Sequence, residues 1–162
     1  MNNWKPYLVE SSCSAGVVKE MAAKVLCLFD SDEAKTSLEN LLGCAYETEC
    51  VPTILAALQS LRKSRPDAII VQLHLREESC FDFLRALENN PEYTSIPVIT
   101  CCIVDQFDKS IEEYLIKVST FLGSQIYVCC QDFYSARLQR EVAQCIRANQ
   151  LKSLPMSHVE TA

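Results

Sequence analysis

The residues able to do chemistry in this chain gather at the ends of short apolar runs. Phe29-Asp30 closes the run that begins at Lys24, and Gln72 stands near the end of Ala68–Leu73. The doublets Cys101-Cys102 and Cys129-Cys130 close two further runs, Pro97–Cys102 and Gln125–Cys130. A carboxylate is a hard oxygen ligand and a nucleophile, whereas a thiol is a soft ligand open to oxidation. A carboxamide offers neither the charge nor the nucleophilic lone pairs of a carboxylate. Each cysteine doublet sends one thiol to either face of a strand. Cys102 and Cys130, at the same end of neighbouring parallel strands about 4.8 Å apart, fall within reach of a disulfide. His74 lies just past Gln72, and its default reading is a loop histidine rather than a metal ligand.

Other chemistries have no support. No C-x-x-C pair, G-x-S-x-G elbow, G-x-G-x-x-G turn or Walker sequence occurs; Asp30-Ser31-Asp32 after the first run would repel a phosphate. The chain is therefore expected not to be an enzyme and to hold no metal or other cofactor. Net charge is −6 with 15 Lys and Arg in no basic cluster, so direct binding to nucleic acid is not expected. No apolar stretch approaches the roughly 18 residues of a membrane helix, and the start, MNNWKPYLVESSCSAG, lacks the pattern of a signal peptide. Ten cysteines without a secretion signal read as reduced thiols in the cytoplasm, most of them packing as small hydrophobes.

Five strands position these residues: Lys24–Phe29, Tyr46–Cys50, Ala68–Leu73, Pro97–Cys102 and Gln125–Cys130. Amphipathic helices separate them. Ala34, Leu38, Leu41 and Leu42 form one stripe, closed by Gly43; Ile54, Ala57, Leu58 and Leu61 form the next. Phe81, Leu84 and Leu87 face inward from a third helix. Ser110 and Glu113 have capping-box spacing at the head of a fourth, whose stripe is Ile111, Leu115 and Val118. Leu138, Val142, Cys145 and Ile146 mark the last helix. Strand–helix alternation with right-handed crossovers predicts an α/β fold, a flavodoxin-like doubly wound sheet of five parallel strands in the order 2-1-3-4-5. The domain is expected over residues 24–150, after an accessory segment at 1–23 carrying Trp4, Tyr7 and Leu8, and before a flexible tail at 151–162.

The punctuation carries a resemblance. Arg65-Pro66-Asp67, then AIIVQLHL, then Phe81-Asp82-Phe83-Leu84-Arg85 is similar to the pattern RPDLIILDLxLPxxxGFELLR, and Gly123–Cys130 to GADDYLxK. Over residues 24–150 the chain resembles the receiver domain of bacterial-type response regulators, the CheY-like family. The resemblance implies where a phosphorylation pocket should be, and there the chain departs from it. The family's phosphoacceptor Asp is Gln72, the first residue of its magnesium-holding acidic pair is Phe29, and only Asp30 of that pair remains. Cys102 stands for the family's Ser/Thr and Cys130 for its Lys. One carboxylate is a poor magnesium site.

The expected function is a phosphorylation-independent pseudo-receiver, a regulatory module for protein–protein interaction or dimerisation in signalling or transcription. The resemblance implies an interaction face along the fourth helix, fifth strand and fifth helix, drawing on Ile111, Glu112, Tyr114, Leu115, Tyr127, Arg137 and Gln139. A second reading is a redox- or metal-responsive switch at Cys102 and Cys130. A third is an enzyme on a flavodoxin-like frame, for which no complete catalytic set is found.

Overall fold

Ala68–Gln72 is buried at every position, as a strand covered on both faces must be, and the rest of the fold is arranged around it. The computed structural model describes residues 22–103, 108–129 and 136–154. In chain order the elements are β1 (Lys24–Leu28), α1 (Asp32–Leu42), β2 (Glu47–Val51), α2 (Ile54–Lys63) and β3 (Ala68–Gln72). They continue with α3 (Cys80–Glu88), β4 (Val98–Cys101), α4 (Lys109–Phe121), β5 (Ile126–Val128) and α5 (Ala136–Ser153). The strands form one parallel sheet in the order β2-β1-β3-β4-β5, as expected.

Alternate residues of each strand serve opposite layers. Val25, Cys27, Ile70, Ile99 and Cys101 pack with Leu38 of α1 and with Leu138 and Val142 of α5. Leu26, Leu28, Ile69, Val71 and Val98 pack with Ala57, Leu61, Phe83 and Leu84 of α2 and α3. Leu115 and Val118 of α4 join that second layer only in part; Ser119 is the one fully buried residue of α4. At one edge β2 alternates exposed Glu47 and Glu49 with partly covered Thr48 and Cys50. At the other, β5 has three residues.

Local chemistry sets the helix starts. The Ser31 hydroxyl accepts the Ala34 N–H at 3.3 Å and the Thr53 hydroxyl the Ala56 N–H at 3.2 Å, each satisfying a donor the first turn leaves open. The α4 cap differs from expectation. Asp108 holds it, its carboxylate accepting the Ser110 N–H at 3.2 Å, so Ser110 lies inside the helix. Ile111, read as part of an inward stripe, is 48% exposed. In α3 it is Phe83, not Phe81, that is fully buried, because Cys80 and Leu84 fix the inward face and Phe83 lies on it while Phe81 falls beside it.

The two helix-ending glycines act differently. Gly123 has φ +90°, which a side chain would disfavour. Gly43 keeps a right-handed conformation, φ −63°; a Cβ there would lie 2.4 Å from the Glu39 carbonyl oxygen. Helix α5 continues through Ser153, beyond the point where its sequence period fades. Most of the expected accessory segment and of the tail, and Cys130, lie outside the described residues.

Candidate functional site

Parallel pairing of Leu28 with Val71 brings the chain out of β1 and β3 at the same end of the sheet. Phe29-Asp30 and Gln72-Leu73-His74 therefore meet there. Phe29 is buried in the layer beneath α1 and α5, and its N–H donates to the Val51 carbonyl at 3.0 Å. Its ring adds to the core and supplies no ligand.

Gln72 is only 3% exposed, and both ends of its amide are engaged. Oε1 accepts the Asp30 backbone N–H at 3.3 Å, and Nε2 donates to the His74 carbonyl at 2.5 Å. The Asp30 carboxylate in turn accepts the Arg76 backbone N–H at 2.6 Å. Gln72 and Asp30 thus tie the β1–α1 connection to the β3–α3 connection by side chain-to-backbone bonds alone. A neutral amide suits this position because it donates and accepts at once; a carboxylate only accepts.

Beside this network is a cleft of about 310 Å³ lined by Asp30, Pro52, Thr53, Leu75, Arg76, Glu77 and Glu78. Glu78 reaches across it to accept the Ile54 N–H at 2.9 Å, placing negative charge at the start of α2, where the helix dipole favours it. Two of the cleft's three carboxylates are thus committed to backbone donors. Among the described residues, no group of three or more His, Cys, Asp and Glu is placed to hold a metal ion.

On the other side of Gln72, its register partner on β4 is Cys101. The Cys101 thiol donates to the Val71 carbonyl at 3.6 Å, and burial holds its pKa well above the ordinary thiol value. Cys102 is buried one residue further on, its N–H donating to the Val128 carbonyl at 3.1 Å. Because Cys101 pairs with Val128, the register continued by one step sets Cys129 beside Cys102. The expected partner, Cys130, lies outside the described residues.

The expected interaction face is assembled in part. Tyr114 is 64% exposed and Ile111 stands near it on α4, with Phe121, absent from the sequence reading, 82% exposed at the end of that helix. Tyr127 is partly covered, and its hydroxyl donates to Glu112 at 2.8 Å. Burial, then this bond to a carboxylate, raises the Tyr127 pKa far above the usual phenol value. Leu115 turns toward the core. Arg137 lies 3.7 Å from Glu141 on its own helix. Gln139 departs from this face, since its amide donates to the Leu41 carbonyl at 2.6 Å and joins α5 to α1.

Arg76 and Glu78 escaped the sequence reading. The acidic pair Glu77-Glu78 ahead of α3 was the available signal for Glu78; Arg76 acts through its backbone, which no residue type reveals.

No protein-family model matches the chain. Over 83 residues, 50% of its length, it is 31% identical to protein-glutamate methylesterase/protein-glutamine glutaminase 1 of Anaeromyxobacter dehalogenans, and the match spans 23% of that relative. Solved structures align far more fully. The signal receiver domain of a signal transduction histidine kinase from Syntrophus aciditrophicus superposes with a TM-score of 0.66 at 22% identity, covering 87% of this chain and 98% of that one. The signal receiver domain of an HD domain-containing protein from Pseudomonas fluorescens Pf-5 gives 0.68 at 18% identity, covering 86% and 96%. The chemotaxis response regulator CheY4 of Vibrio cholerae gives 0.63 at 21%, covering 76% and 98%. The strand order, the parallel pairing and these superpositions together establish that the chain has the fold of a CheY-like response-regulator receiver domain.

Proposed function

We propose that this chain is a degenerate receiver, a protein-interaction module that works without phosphoryl transfer. The observation that carries the reading is the network at Gln72. An acyl phosphate needs a carboxylate oxygen as nucleophile, and the residue at that position is a buried amide whose oxygen and nitrogen are both bound to backbone. The remaining carboxylate, Asp30, is held on the Arg76 N–H. Hydrogen bonds do here what a metal and a phosphoryl group do in a switching receiver: they fix the loops at the end of the sheet in one arrangement.

With the pocket fixed, regulation passes to surfaces. The exposed Ile111, Tyr114 and Phe121 of α4 support a protein partner, or a second copy of the chain, docking along that helix in a signalling or transcriptional assembly of the cytoplasm. The reading is tested by incubating the protein with acetyl phosphate and magnesium and measuring intact mass. An unchanged mass is expected. A hydroxylamine-sensitive gain of one phosphoryl group on Asp30 or Asp32 would overturn it.

A further inference from the structure

Away from the network at Gln72, β1 and the edge strand β2 set two thiols side by side. Cys27 and Cys50 are direct partners in the parallel register, so their side chains share one face. Cys27 is fully buried in the layer beneath α1 and α5, and Cys50 packs against that same cluster while remaining partly open to solvent. Neighbouring parallel strands lie about 4.8 Å apart, inside the range of about 4.4–6.8 Å that Cα atoms span across a disulfide. Both cysteines are free thiols.

Their surroundings divide the labour of a redox pair. A hydrogen bond between the two thiols, then burial, pushes the Cys27 pKa well up. The same bond lowers that of Cys50; Lys35 lowers it further, while burial, Glu39 and Glu49 oppose. Cys50 is thus the more accessible and the more readily ionised thiol of the two. Cys102 and Cys129 also stand side by side, but past the last paired residues of β4 and β5, Cys101 and Val128, whereas Cys27 and Cys50 lie within the paired strands. Cys80, Cys101 and Cys145 are buried with raised pKa values, and Cys44 is exposed ahead of β2.

We propose that Cys27 and Cys50 are a reversible redox pair that takes its oxidising equivalent from a hydroperoxide. The Cys50 thiolate sulfur attacks a peroxide oxygen and the O–O bond breaks. With hydrogen peroxide, the leaving hydroxide takes a proton and departs as water, leaving a sulfenic acid. The Cys27 sulfur then attacks the Cys50 sulfur, the S–OH bond breaks, and the hydroxide leaves as water with the Cys27 proton. Two thiols and one hydrogen peroxide become one disulfide and two waters, and a dithiol reductant reverses the change. The new bond would staple the edge strand to β1 one residue before Val51, whose carbonyl accepts the Phe29 N–H. Oxidation would therefore tighten the strand ends that carry the network at Asp30.

The full chain, reduced and desalted, is treated with hydrogen peroxide, alkylated, and digested without reductant. A peptide linking Cys27 to Cys50 is expected as the main product, with an intact mass lower by two hydrogens and restored by dithiothreitol. The Cys50→Ser variant should lose the link, and Cys27→Ser should leave Cys50 as a sulfenic acid trapped by dimedone. A wild-type map with no such link, a link from Cys44 instead, or direct over-oxidation of Cys50 with Cys27 still a thiol overturns the proposal. The wild-type map decides even where Cys27→Ser fails to fold.

Discussion

Gln72 holds Asp30 by its backbone: the amide oxygen of one accepts the N–H of the other at 3.3 Å across the β1–β3 boundary. The same amide donates to the His74 carbonyl at 2.5 Å. The second contact is open to test because a glutamate keeps the length of the side chain and its acceptor and removes only its donor.

Gln72→Glu should destabilise the fold by about 1–3 kcal/mol at neutral pH, the usual cost of a buried polar group left without its partner. Burial and the facing His74 carbonyl would raise the pKa of the new carboxyl above its unfolded value. The native state then binds the proton more tightly, so stability is greatest below the unfolded pKa and is lost as pH rises through the folded one. Urea titrations at mildly acidic and neutral pH should show a smaller deficit in acid; an equal deficit at both would remove the His74 contact from the account.

Tyr127→Phe deletes the hydroxyl that binds Glu112 at 2.8 Å and keeps the ring. A loss of about 1.5–3 kcal/mol is expected, as for a hydrogen bond to a charged group. Because that bond joins β5 to α4, amide exchange should quicken along α4. Unchanged exchange there would mean that the core contacts of Leu115 and Val118 hold the helix unaided.

Association through α4 is tested with Tyr114→Asp and Phe121→Ser. A charge forced into a desolvated contact costs at least about 2 kcal/mol, so Tyr114→Asp should shift a self-associating chain toward monomer in sedimentation velocity. A wild-type monomer at high concentration leaves only a different protein as partner. A variant that dimerises as wild type does moves the interface off α4.

High pH should weaken the fold through its buried thiols. Burial, then Asp82, pushes Cys80 up to about 12, and Cys101 and Cys27 are raised as well. The native state keeps protons that the unfolded chain releases, so stability is full below the ordinary thiol pKa and falls as pH rises from there toward 12. Cys50, shifted downward, works in the opposite sense. Melting temperatures under reductant should fall between neutral pH and pH ~10, and Cys80→Ala should flatten the slope.

The sequence reveals most where residue type and backbone role coincide. The nearly continuous apolar run of β3 announces a central parallel strand, and Ser31 a helix start. It reveals least where a side chain binds a backbone group from elsewhere. Gln72 reads as a lost nucleophile, but nothing in its type names the His74 carbonyl or the Asp30 N–H. Gln139 lies where the interaction face was expected, yet it bonds to the Leu41 carbonyl because α5 runs against α1. Ser110 has the right spacing for a cap, but Asp108, two residues earlier, has the stronger acceptor. The Cys27–Cys50 pair needed strand register, which spacing along the chain does not encode.

The two margins of the sheet also bear on how this protein meets others. Glu47 and Glu49 put repeated negative charge along the outer strand β2, and β5 offers only three residues. One margin repels an incoming strand and the other is too short to template one. Growth of the sheet by strand addition is thus disfavoured at both margins, and the same arrangement guards a cysteine-rich chain against edge-to-edge aggregation.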